Sequence, residues 1–142
     1  MNDVEYNHDL KNDYLWLWKS CKLDSKKMVF IKRVKDRILA GRVRYQALEK
    51  QTGVPWWFIA TLHSMEGSND FTKHLHNGDP LAQRTIQVPA GRPPRPLMPP
   101  FTFEQSALDA IKLKRLNEVG TNWSIQRVLW LAEGYNGLGY RQ

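Results

Sequence analysis

The chain has 142 residues, 42% apolar and 25% charged, which fits one folded domain and excludes global disorder. Its single cysteine, Cys21, excludes an internal disulfide and a thiolate zinc cluster, and no uncharged run reaches the ~20 residues of a membrane-spanning helix. The formal charge is +7, and residues 1–53 hold twelve cations against seven carboxylates, as an anionic polymer, a nucleic acid or an ordinary solvated face would suit.

The opening MNDVEYNHDL is acidic and polar, unlike the basic-then-apolar start of a secretory signal, so synthesis in the cytoplasm is expected. Leu10, Tyr14, Leu17 and Trp18 recur at helical spacing and predict a first helix ending near Lys22. Asp24 or Ser25 can cap a second helix with Phe30, Ile31, Val34, Ile38 and Leu39 on one stripe. Gly41 ends or bends it, and helix continues to about Lys50. Gly53-Val54-Pro55 is a stop-and-restart signal. The helix from Pro55 to Glu66 is almost wholly apolar and is expected to be central and buried. The Trp56–Trp57 pair within it reads as core rather than as a sugar platform.

Two short segments, 71–76 and 83–88, flank the turn sequence Asn77-Gly78-Asp79-Pro80, and Thr85, Ile86 and Val88 favour strands, so a small β-hairpin is expected. Six prolines within residues 89–100 forbid regular structure and predict a loop wrapped on the domain. Thr102 with Gln105 forms a capping box for a helix carrying Phe103, Ala107, Ala110, Ile111 and Leu113, and Ser124 can cap a last helix with Ile125, Val128, Leu129 and Ala132. The fold class expected is α+β, predominantly α-helical, with a central buried helix and one small hairpin.

Glu66 is the residue most open to chemistry. At the end of an apolar helix, desolvation and the negative end of the helix dipole both oppose its charge. A carboxylic acid kept protonated is what a general acid requires; the plainer reading is a terminal glutamate reaching solvent. Asp79 follows thirteen residues later and Thr85 six after that, an order in which acid and hairpin flank a sugar ring. The carboxylate and hydroxyl would then position water opposite the acid, as an inverting glycosidase needs; Asn-Gly-Asp-Pro is equally plain turn sequence. His63 stands one turn before Glu66 and is expected to orient it. His74 and His76 would line a sugar groove, with a three-histidine metal site as the lesser alternative. Arg84 and Arg92 suit lactyl or peptide carboxylates.

The run GVPWWFIATLHSMEGSNDFTKHLHNGDPLAQRTIQVPAGRPP, with FTFEQSALDAIKLK and the closing AEGYNGLGY, resembles a lysozyme-like family of phage endolysins and prophage peptidoglycan hydrolases. The resemblance covers about residues 42–140, with HLHNGDPL, RT and VPAGRP as its specific part. It implies a lysozyme-like fold and a single catalytic domain over 1–142, with 1–41 as a basic helical part outside the match. It also implies Glu66 as catalytic acid, Asp79 and Thr85 as its partners, and Tyr135-Asn136 lining the groove as in lytic transglycosylases.

The expected activity is cleavage of the β-1,4 bond between N-acetylmuramic acid and N-acetylglucosamine. His63, His76, Arg84, Tyr135 and Asn136 would bind substrate, without metal or cofactor, in a monomer whose partner is the peptidoglycan strand. The basic N-terminal helices would aid adhesion to an anionic wall, and no nucleic-acid partner or membrane insertion is expected. Release through a holin, or delivery by a virion or secretion apparatus, would bring the enzyme to its wall. A transglycosylase, a basic nucleic-acid binder and a non-catalytic wall-binding module are the rival readings.

Overall fold

A computed structural model describes residues 5–137. Its six helices are α1 (His8–Ser20), α2 (Met28–Ala40), α3 (Arg42–Thr52), α4 (Trp56–Gly67), α5 (Phe103–Leu113) and α6 (Ile125–Tyr135), with 3-10 turns at Ser25–Lys27 and Leu116–Glu118. Asn7 caps α1 through its side-chain oxygen, and Asp24 caps the first 3-10 turn. The Thr102–Gln105 capping box forms as expected, with Thr102 Oγ1 accepting from Gln105 N at 3.1 Å and Gln105 Oε1 from Thr102 N at 3.0 Å.

Helix α4 is the centre. Gly53 takes the left-handed conformation (φ 77°) that closes α3, and Glu49 reaches across the corner to accept Trp56 N–H at 2.6 Å. A carboxylate at this helix start satisfies a backbone donor that would otherwise be orphaned and favours the dipole. Phe58, Ile59, Ala60 and Leu62 are fully buried, whereas Trp57 and Met65 reach solvent, so α4 is covered on most sides rather than all. It packs on α3 and α2, α3 continues onto α5, and α1 lies along α6. Tyr45, His63, Phe71 and Phe103 form one aromatic knot, with the His63 and Phe103 rings stacked at 4.3 Å. Helix α2 departs from expectation. None of its residues is buried; Ile31, Val34 and Ile38 are half-covered, and Phe30 and Leu39 face solvent.

The expected β-hairpin does not form, so the α+β, lysozyme-like arrangement is corrected to an all-helical one among the described residues. A single antiparallel bridge, Lys73 to Pro80, is all the pairing that residues 71–88 achieve. The physical reason lies in the donors. Pro80 has no N–H to extend the ladder, and the N–H groups of Ile86 and Gln87 are taken by the Asp79 carboxylate at 2.8 and 3.0 Å. β-Forming side chains at 85–88 therefore sit on a backbone whose donors are already used.

Candidate functional site

Residues 68–102, between α4 and α5, fold against the end of α4. Ser68 and Asn69 both adopt left-handed conformations (φ 54° and 58°), which turn the chain sharply just after Glu66. His63 holds this turn. Its Nε2–H donates to the Asp70 carbonyl at 2.9 Å, which leaves Nδ1 to accept from the Tyr45 hydroxyl at 2.8 Å. Asn69 Nδ2 donates to that hydroxyl and to the Ala60 carbonyl, each at 3.0 Å. Burial pushes the His63 pKa down to about 4, so the ring is neutral in this network.

Farther along, Gly78 (φ 80°) lies so close to α4 that a Cβ there would stand 2.1 Å from the Glu66 carbonyl oxygen. Only glycine allows this approach. The Asn77–Gly78 turn is thereby seated directly on the backbone of the acid.

A second buried network ties the loop to α5. His74 Nε2–H donates to the Gln83 carbonyl at 2.7 Å, and its Nδ1 accepts from the Ser106 hydroxyl at 2.8 Å. Ser106 Oγ also accepts Leu75 N–H at 3.1 Å and stands 3.3 Å from His76 Nδ1. His76 Nε2 donates to Asp109 Oδ2 at 2.7 Å, and Arg92 grips the same carboxylate with both arms at 2.9 and 2.5 Å. Burial raises the Asp109 pKa, but the hydrogen bonds from His76 and Arg92 outweigh it and leave the group below the usual carboxylate range.

These supports shape a cleft of about 250 Å³ lined by Glu66, His76, Asn77, Val88, Pro89, Lys114, Tyr135, Asn136 and Gly137. Glu66 is half-buried, and none of the described residues hydrogen-bonds its carboxyl group. Burial pushes its pKa up, and the Lys114 charge only partly offsets the shift. Tyr135 forms the floor, buried, with its hydroxyl donating to the Leu75 carbonyl at 2.7 Å. Lys114 Nζ stands 5.5 Å from the centre of the Tyr135 ring. A half-buried carboxyl, the Lys114 side chain and amide groups thus face one polar hollow, open to solvent and suited to a hydroxyl-rich ligand.

Of the residues singled out from sequence, Glu66, His76, Tyr135 and Asn136 meet in this cleft. The others stand outside it. Asp79 is buried, and its Oδ2 accepts from Ile86 N, Gln87 N and Asn77 Nδ2; burial raises its pKa, but these bonds leave it lowered. Thr85 is buried too, donating its hydroxyl proton to the Pro89 carbonyl and accepting from Arg92 N at 2.9 Å. Arg84 staples the proline-rich loop through the carbonyls of Pro93 and Leu97, and its guanidinium covers Phe101. His63 faces the aromatic knot rather than the Glu66 carboxyl.

The three histidines each spend ring nitrogens on hydrogen bonds, and among the described residues no His, Cys, Asp or Glu side chains gather as a metal-binding group. Arg92, expected to meet a substrate carboxylate, instead binds Asp109, and Lys114, Asn77 and Asp109 were missed from sequence. The only signal for Lys114 was a cation closing an otherwise apolar helix face. Leu138, Gly139 and Tyr140 of the closing motif lie outside the described residues. Compared with known proteins, the chain matches no family model, no curated protein sequence and no solved structure.

Proposed function

We propose that this chain cleaves the glycan strands of peptidoglycan at the β-1,4 bond between N-acetylmuramic acid and N-acetylglucosamine, with Glu66 as general acid. The observation that carries the reading is Glu66 itself. It is a carboxyl with raised pKa, unpartnered by the described residues, at the wall of a polar cleft. In that state it can hand a proton to the departing glycosidic oxygen. Tyr135 and Asn136 would form the sugar-facing floor, and Lys114 would meet the lactyl or peptide carboxylate. The resemblance of the sequence to phage endolysins supports the same substrate.

How the sugar cation is then captured has two versions. In the hydrolytic version Asp79 and Thr85 position water. Their engagement with the loop backbone favours the other, a lytic transglycosylase that uses one carboxyl group. There the muramic acid's own C6 hydroxyl attacks C1 as the C1–O4 bond breaks. Glu66, having given its proton to O4, accepts the proton from the C6 hydroxyl, and a 1,6-anhydro end results.

Mass spectrometry of fragments released from purified wall tests both versions. Loss of all fragments in Glu66→Gln supports the acid, and anhydro ends in the wild type select the transglycosylase. Lysis by Glu66→Gln within tenfold of wild type removes Glu66 from the mechanism. Access to the wall would follow a holin lesion, or delivery by a virion or secretion apparatus.

A further inference from the structure

The end of α1, the start of α2 and the short connection between them carry a run of large apolar side chains that the described residues leave exposed. Leu10 and Tyr14 are buried against α6, yet Leu17 and Trp18 continue the same stripe into solvent. Trp16 is 67% exposed, Trp18 56%, Val29 72% and Phe30 63%. Leu23 and Met28 add to the same region. A hollow of about 400 Å³ on α2 is lined by Met28, Val29, Ile31 and the aliphatic stems of Lys32 and Lys35. Such a concentration of exposed large apolar side chains marks a docking surface.

Charge identifies what docks. Between Trp16 and Lys35 the sequence places six lysines and one arginine against one carboxylate, Asp24, and all seven cations are exposed. Protein interfaces enrich arginine and deplete lysine, so this composition argues against a protein partner or a second copy. A polyanion alone would use the cations but leave the tryptophans and Phe30 idle. A bilayer carrying anionic headgroups uses both: the rings settle at the headgroup boundary while lysines reach phosphate. Among the described residues no helix is long and apolar enough to cross a membrane, so the contact is peripheral.

We infer that the α1–α2 region is a docking surface for anionic phospholipid bilayers, separate from the Glu66 cleft. The inference does not depend on the proposed activity, because lipid binding is measured without wall.

The full chain is sedimented with vesicles of phosphatidylglycerol and phosphatidylethanolamine, and with phosphatidylcholine vesicles as control, at about 0.15 M salt. Binding to the anionic vesicles alone is expected. Trp16→Ser with Trp18→Ser and Phe30→Ser should weaken it at least tenfold. Lys26→Glu with Lys27→Glu and Lys32→Glu should weaken it as strongly at low salt, and Glu66→Gln should bind as wild type. If the serine variant does not fold, quenching by bromine-labelled acyl chains replaces it: wild-type fluorescence should fall, and Trp16→Phe with Trp18→Phe should remove much of the effect.

Three outcomes overturn the inference. One is no binding to anionic vesicles, or equal binding to phosphatidylcholine. Another is unchanged binding by the folded serine variant, which would leave a purely electrostatic site suited to wall polymer. The last is a dimer in sedimentation velocity that the serine variant abolishes, which would mean a second copy covers the surface.

Discussion

The Lys114 charge acts on Glu66 across the cleft, and the sign of that influence is measurable. Lys114 lowers the pKa that burial has raised, so Lys114→Met should raise it further. A general acid works while protonated, so activity on soluble glycan should fall as pH rises through this pKa. In Lys114→Met that alkaline limb should move to higher pH; an unmoved limb would show the two groups uncoupled. The same burial bears on stability. A carboxyl with a folded pKa above its unfolded value supports the fold at acid pH and loses that support as pH rises through the folded pKa. Glu66→Gln should therefore melt at the same or a higher temperature at neutral pH, the difference closing in acid. Calorimetry across pH checks this.

The loop between α4 and α5 shows how an element can be stable without a ladder. Asp79 supplies the acceptor for two consecutive backbone N–H groups, and hydrogen bonds to charged groups contribute about 1.5–3 kcal/mol each. Asp79→Ala should cost roughly 3 kcal/mol in denaturant melts, whereas Asp79→Asn keeps an acceptor and should cost less. With Asp79 as a structural group, folded Asp79→Asn should retain turnover. A hundredfold loss would return it to the role of positioning water. Gly78→Ala joins a positive φ to a clash with the Glu66 carbonyl, and should lower both the melting temperature and turnover as the loop is pushed off the acid.

Helices, caps and the suspicion of Glu66 were legible because each rests on neighbours within a few residues: Gly53 then Pro55, Thr102 with Gln105, a carboxylate ending an apolar run. The hairpin was misread because strand propensity at Thr85, Ile86 and Val88 carries no information about Asp79, seven and eight residues upstream of Ile86 and Gln87, capturing their backbone donors. Lys114, Asp109 and Ser106 were illegible for a different reason. They reach their partners across long stretches of intervening chain, 17 residues for Asp109 with Arg92 and 32 for Ser106 with His74, and no spacing rule predicts which turn of α5 will face the loop.

For the whole molecule, the buried neutral histidine sets a window of acid sensitivity. His63 has its pKa lowered from 6.5 to about 4, so the stability it supports is complete above pH 6.5 and is lost as pH falls toward 4. The shift corresponds to about 3 kcal/mol at most, and His63→Gln should flatten that part of the stability curve. The loss from Asp70, Asp79, Glu104 and Asp109, whose pKa values are lowered, sets in as pH falls through the ordinary carboxylate range and continues below it, so it takes over where the His63 effect ends.

The uneven burial of helix and loop also has a temporal side. Amide protons leave a protein through its local openings, and an opening is easiest where the least apolar surface must be wetted. Helix α2 buries no residue, whereas the irregular segment from His74 to Thr85 buries Leu75, Leu81 and four polar side chains. In heavy water the order of exchange should run against the order of secondary structure. The regular helix gives up its protons early, and the amides of Leu81, Thr85, Ile86 and Gln87 hold theirs into the slow phase.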